Sequence, residues 1–248
     1  MTAANHSPLE QFAVSPILQL PKLFGIDASI TNSSLFMLLS VVIVGLFFGY
    51  AMRKRAAIPS RMQSLAEMIY QFVDEIVKDN VGHDGHKYFS IIFTLFLFIL
   101  FVNLLGLVPY AFSPTSHIIV TFGLAAFIFT GITIIAFIKK GPVGFFKHFI
   151  PEGLPIAIVP LIFLIELISF LSRPFSLAIR LAANMVAGHT LIKVIAGFVF
   201  PLGLLMGALP LAFIVLLNGL EVFVCILQAY VFTLLSSIYL SEALSDHH

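Results

Sequence analysis

Apolar residues in this chain come in long runs separated by short polar stretches, and the runs set the elements. Leu35–Tyr50, Ile91–Leu107 and Leu202–Leu217 are almost without charge. A bilayer crossing takes roughly 20 apolar residues in a helix, so the runs predict spans at about 34–52, 88–108 and 118–138, the second ended by Pro109. Between the first two the pattern changes. Leu65, Ile69, Phe72 and Ile76 recur at helical spacing, with Glu67, Asp74, Glu75 and Lys78 on the other side. Ser60 and Gln63 have the spacing of a capping box. This predicts an amphipathic helix over about 61–79, either on the cytoplasmic membrane surface or packed on a partner subunit.

The C-terminal half exceeds the simple pattern. From Pro155 to Phe198 only Glu166, Arg173, Pro174, Arg180, Asn184, His189 and Lys193 interrupt the apolar character. As one helix, about 44 residues would run roughly 65 Å, twice a hydrocarbon thickness of roughly 30 Å. Leu202 to Glu242 shows a similar excess. Each stretch is either two crossings with a hidden turn or one long, tilted or bent helix. Leu171-Ser172-Arg173-Pro174 is the one candidate turn in the first stretch, yet Pro174 can merely bend a helix. Periodicity alone leaves both open.

Composition agrees with a membrane protein. Of 248 residues 60% are hydrophobic and 10% charged, against about 25% charged in soluble domains. The fold class is therefore an all-α polytopic membrane protein. Basic residues assign the sides: Arg53, Lys54, Arg55 and Arg61 follow the first span, and Lys139, Lys140 and Lys147 follow the third. Under the positive-inside rule both groups are cytoplasmic, which puts the N-terminus and the Pro109–His117 loop outside. Residues 1–33, with Pro8, Pro16 and Pro21, read as an extramembrane arm, and 34–248 as a single membrane domain. No signal peptide is evident, since the first apolar run is followed by basic residues rather than a cleavage site. The net charge of +1 and the absence of a basic patch exclude nucleic acid as a partner. The single Cys225 excludes a disulfide within the chain.

The polar residues inside the apolar runs are the candidate chemistry. Arginine at a helix centre costs about 2.5–3.5 kcal/mol on insertion scales. Arg173 and Lys193 can snorkel toward an interface; Arg180, with apolar sequence on both sides, cannot. Ser176, Arg180, Asn184 and Gly188 share one helix face, flanked by Ala178, Ala182, Ala183 and Ala187, which permit close helix approach. His189 follows Arg180 by about 13 Å of helix. On the last helix Asn218, Glu221, Cys225 and Gln228 recur at spacings of 3, 4 and 3 and form a stripe. Glu221 with His189 makes a proton relay if water reaches them; the alternative is a structural buried pair. Glu166, with Ser169 three residues on, is a candidate for a second aqueous access nearer the cytoplasm.

The run Ser172-Arg-Pro-Phe-Ser-Leu-Ala-Ile-Arg180-Leu-Ala-Ala-Asn184-Met-Val-Ala-Gly188-His189 resembles the signature of the ATP synthase subunit a family, Leu-Arg-Leu-x-x-Asn-x-x-Ala-Gly, with Ile179 before the arginine. Leu227-Gln228-Ala-Tyr-Val-Phe232 with Ile238-Tyr239-Leu240 resembles that family's last helix, and Asn103-Leu-Leu-Gly-Leu-Val-Pro109 its second-span motif. The resemblance covers about 30–245. It implies five spans, ending in a hairpin of two long tilted helices over about 155–242 and a cytoplasmic C-terminus. It implies a proton-translocating stator subunit of a rotary ATP synthase that catalyses no bond chemistry itself and faces a ring of c-subunits. Arg180 would meet the ring's carboxylates and separate two half-channels. Asn184, His189, Glu221 and Gln228 match positions on the outer path, and Glu166 and Ser169 positions on the cytoplasmic path. Implied partners are the c-ring, b-type peripheral stalk subunits, the soluble F1 sector indirectly, and the lipid bilayer.

In some bacterial members of the family the carboxylate stands at the position of His189 and the histidine at that of Glu221. Here the pair is reversed, as in mitochondrial members, which keeps one acid facing one imidazole. This points to a bacterial inner membrane on the mitochondrial side of the family, with the mitochondrial inner membrane as the alternative. No cofactor and no metal are expected. Two other classes compete. A secondary transporter would bury similar residues but is often built from internal repeats, and none is evident. A plain membrane anchor would not explain an arginine, a histidine and a glutamate held at such cost.

Overall fold

The computed structural model describes residues 12–18, 29–53, 59–108, 111–147, 150, 155, 158–199 and 201–244. Lys54, Arg55, Pro109 and the parts of the arm at 1–11 and 19–28 lie outside the described residues. Two short strands come first, β1 (Pro16–Leu18) and β2 (Ile30–Thr31), paired antiparallel. The helices are α1 (Asn32–Ala51), α2 (Arg61–Val81), α3 (Phe89–Gly106), α4 (Ile118–Lys147), α5 (Val159–Val199), α6 (Gly203–Met206) and α7 (Ala208–Leu244). Single 3-10 turns occupy Gly82–Lys87 and Pro114–Ser116. Among the described residues five helices are long and apolar enough to span a membrane: α1, α3, the Ile118–Pro142 part of α4, α5 and α7. The first extra-long stretch is the single helix α5, and the second, after the short α6, is the single long helix α7. At 41 and 37 residues they run about 60 and 55 Å, which fits a bilayer only if they tilt. Pro174 is accommodated inside α5 without ending it.

Local chemistry explains most of the boundaries. Thr31 caps α1 in a reciprocal box with Ser34, so the span begins where the arm's pairing ends. Ser60 caps α2 through the Gln63 amide, as the sequence spacing predicts. Gly141 adopts φ 68, ψ 170 and breaks α4 before Pro142. The turn joining α5 to α7 needs glycine twice. Gly203 takes φ 75, and a Cβ at Gly207 would lie 2.5 Å from the Val199 carbonyl oxygen.

The core lies where α3 and α7 meet α2. Val73, Val77, Phe89, Phe96, Ile99, Ala229, Phe232 and Leu240 are buried together. Two features go beyond the sequence pattern. The side of α2 that is buried carries Gln63, Ala66, Val73, Ile76 and Val77, not Leu65 and Phe72, which stay exposed. Small and β-branched side chains let α2 approach α7, and larger residues flank the seam, with Phe72 against Tyr230 at 5.8 Å. On the open side of α2, Asp74 holds Lys78 at 2.5 Å and raises the lysine pKa above its ordinary value. The second is the loop before α4. Pro114, Thr115 and Ser116 are buried, because their turn wedges between α3, α4 and α5.

Candidate functional site

The antiparallel packing of α5 on α7 brings their polar residues into facing pairs. Near the turn, His189 Nε2 lies 3.7 Å from Glu221 Oε1. One and a half helical turns further, Asn184 Nδ2 donates to Gln228 Oε1 at 3.3 Å. At the open end Arg173 Nη1 lies 2.6 Å from Glu242 Oε2. Three residues of the α7 stripe face α5: Glu221, Cys225 and Gln228 are 6%, 2% and 1% exposed, whereas Asn218 is exposed and its Nδ2 donates to the Ile214 carbonyl of its own helix. Gly188 makes this approach possible. A Cβ there would fall 2.5 Å from Glu221 Oε1, so any other residue would push the carboxylate aside.

The pairs near the turn are polar but unsatisfied. His189 Nε2, both Glu221 carboxyl oxygens, Gln228 Nε2 and Thr190 Oγ1 are buried and find no hydrogen-bond partner among the described residues. A buried polar group left unmade costs about 1–3 kcal/mol. A row of them is tolerated where water or a travelling proton completes the bonding. Glutamate and histidine exchange protons within the physiological range, so this row can pass a proton along the helix interface.

Arg180 is placed differently. It is exposed on the chain's surface, near the middle of α5, and makes no hydrogen bond or ion pair among the described residues. An arginine at mid-span is costly in hydrocarbon, about 2.5–3.5 kcal/mol on insertion scales, so this position asks for a polar or acidic partner. Glu166, Ser169, Ser176 and Arg180 recur at helical spacing along one α5 face. Glu166 is half-buried, and Ser169 and Ser176 are exposed. Among the described residues their side chains meet no partner that joins them into one site.

Three features escaped the sequence reading. Arg173 does not snorkel: it pairs with Glu242 and stacks on the Tyr239 ring at 4.6 Å, beside a cavity of about 30 Å³. Lys140 Nζ donates to the Glu242 carbonyl oxygen at 2.7 Å. Near the other end of the bundle, Asn103 Oδ1 accepts from Thr115 Oγ1 at 2.8 Å, with His117 stacked on Phe112. The polar run Ser113–His117 was the available signal, but it reads equally well as an exposed loop. Phe12, in the arm, meets His189 edge to face at 6.2 Å, and nothing in the sequence pairs those two positions.

The sequence profile of the family described as ATP synthase A chain matches residues 34–241. A protein named ATP synthase subunit a from Pelagibacter ubique is 52% identical over 98% of this chain and 99% of its own length. Its namesakes from Rhodospirillum rubrum and from the Wolbachia of Brugia malayi are each 50% identical, over 98% and 96% of this chain and 100% and 98% of their own lengths.

Proposed function

Because the chain belongs to the ATP synthase A chain family and forms the non-catalytic proton channel of that enzyme's membrane sector, we propose that it carries protons through two half-channels separated by Arg180. It is a multi-pass membrane protein that works in association with other ATP synthase subunits. The outer half-channel runs along Asn184, His189, Glu221 and Gln228. The cytoplasmic one runs along Glu166, Ser169 and Ser176. Between them Arg180 faces the carboxylates of a c-subunit ring. Its positive charge favours their ionised form, so each carboxylate gives up its proton on one side and is reloaded on the other. A b-type stalk holds the chain against rotation. The membrane is a bacterial inner membrane, in keeping with the bacterial relatives, with the N-terminus outside and the C-terminus cytoplasmic.

The observation that carries this reading is Arg180, exposed at mid-span without an ion pair among the described residues. Its test is ATP-driven proton pumping in inverted vesicles holding the assembled complex with Arg180→Ala. Pumping is expected to vanish although the complex assembles. Pumping at the wild-type rate would make Arg180 structural and end the half-channel reading.

A further inference from the structure

The N-terminal arm is tied down beside the proton path, and the tie is specific. Asn32, the first residue of α1, uses both ends of its side chain: Nδ2 donates to the Ala13 carbonyl at 3.0 Å, and Oδ1 accepts from the Ser15 amide at 3.2 Å. The Asn32 amide donates to the Ser15 carbonyl at 3.1 Å, and β1 continues the pairing on β2. These bonds fix the chain immediately after Phe12. From there the Phe12 ring reaches His189, 177 positions away, at 6.2 Å and an interplanar angle of 76°.

The contact is made on a residue that needs orienting. His189 faces Glu221 across 3.7 Å, too far for a hydrogen bond, and its buried Nε2 finds no hydrogen-bond partner among the described residues. Its side chain is 17% exposed. The charged groups around it are Glu221 on α7 and Lys193 one turn along α5. An edge-to-face aromatic pair has a preferred geometry and contributes beyond its buried area. We infer that the arm's residues 12–18 form a fixed cover on the outer half-channel, and that Phe12 is a positioning residue which holds the His189 imidazole toward Glu221 and keeps bulk water off its other side. Protons then arrive through the polar row rather than directly from the outer solution. The inference rests on the proton path proposed above.

The test uses the assembled complex in liposomes, with ATP synthesis driven by an acid–base jump and read against the pH of the outer-side buffer. Phe12→Ala is expected to slow synthesis roughly two- to tenfold, the scale of one aromatic pair, and to displace the pH profile by about half a unit. Phe12→Tyr, which keeps the ring, restores both. Asn32→Ala, which unties the arm and leaves the Thr31 cap intact, displaces the profile in the same sense by less. An unchanged rate and profile in Phe12→Ala overturns the cover. So does a slower rate with an unmoved profile that Phe12→Tyr does not restore, since that is a packing defect. Should Phe12→Ala not assemble, Asn32→Ala decides by the same profile. Glu221→Gln runs beside them: synthesis lost there, with Phe12→Ala unchanged, overturns the cover alone, whereas synthesis retained there overturns the proton path and the cover with it.

Discussion

The two ends of the α5–α7 hairpin are built on opposite terms. At the open end Arg173 and Glu242 are paired: Arg173 meets Glu242 at 2.6 Å and the Tyr239 ring at 4.6 Å, and Lys140 ties α4 to the Glu242 carbonyl. Toward the turn, Glu221 and His189 face each other without bonding, and Gln228 and Thr190 each leave a buried polar atom unpaired. On the proton path proposed above, the first end is a fastener and the second a conductor. A conductor has to leave hydrogen-bonding capacity open, since a proton path made of completed bonds would be a trap. That open capacity destabilises the helix pair by about 1–3 kcal/mol per buried group, and the fastened end helps the pair stay together in spite of it.

Removing the acid at the conducting end gives the largest expected effect. Glu221→Gln keeps the volume and loses the proton, so proton-driven ATP synthesis should fall to background in a complex that assembles. His189→Glu is expected to do the same. The double variant His189→Glu with Glu221→His puts one acid and one imidazole back in register and should regain a measurable part of the rate. Wild-type synthesis in Glu221→Gln would break the contrast at once, because both ends would then be structural.

A smaller effect is expected at Gly188. Its missing side chain is what lets Glu221 stand beside α5. Gly188→Val should displace the carboxylate and slow proton flow by on the order of tenfold or more, the scale of a misplaced reacting group, with Gly188→Ala in between. Unaltered flow in both would reduce Gly188 to one of the small residues that ease helix packing.

What the sequence made legible follows from range. Span number, the length excess of α5 and α7, and the stripes through Arg180 and through Glu221 are local periodicities, and a 3.6-residue repeat carries them directly. That α5 is one helix could not be read locally, since Pro174 is compatible with a bend or a turn, and the family resemblance supplied the choice. That Ala66 and Val73 face the bundle while Leu65 and Phe72 stay exposed is set by close packing on α7, which favours small residues, and periodicity along α2 does not choose between the two sides. Buried Thr115 and Ser116, the Arg173–Glu242 pair and the Phe12–His189 contact are tertiary. Each joins segments whose own sequence patterns are consistent with solvent or an interface, and no local pattern distinguishes the two.

At the fastened end the effect should be the smallest, and of another kind. Arg173→Gln removes an ion pair that is partly exposed, with 20% and 40% of the two side chains accessible, so screening discounts it. The stacking on Tyr239 adds a cation–π contribution. Together they are worth about 1 kcal/mol, which should lower the temperature at which the purified complex releases this subunit by about 2–4 °C. Glu242→Gln, which leaves the stacking on Tyr239 in place, should lower it by less, and the double variant should cost no more than Arg173→Gln, because the same ion pair is lost in all three. Proton flow below the release temperature should stay near wild type. If Arg173→Gln instead stops proton flow and leaves the release temperature unmoved, Arg173 belongs to the conducting row with Arg180, seven residues on along the same face of α5, and the open end conducts as the turn end does.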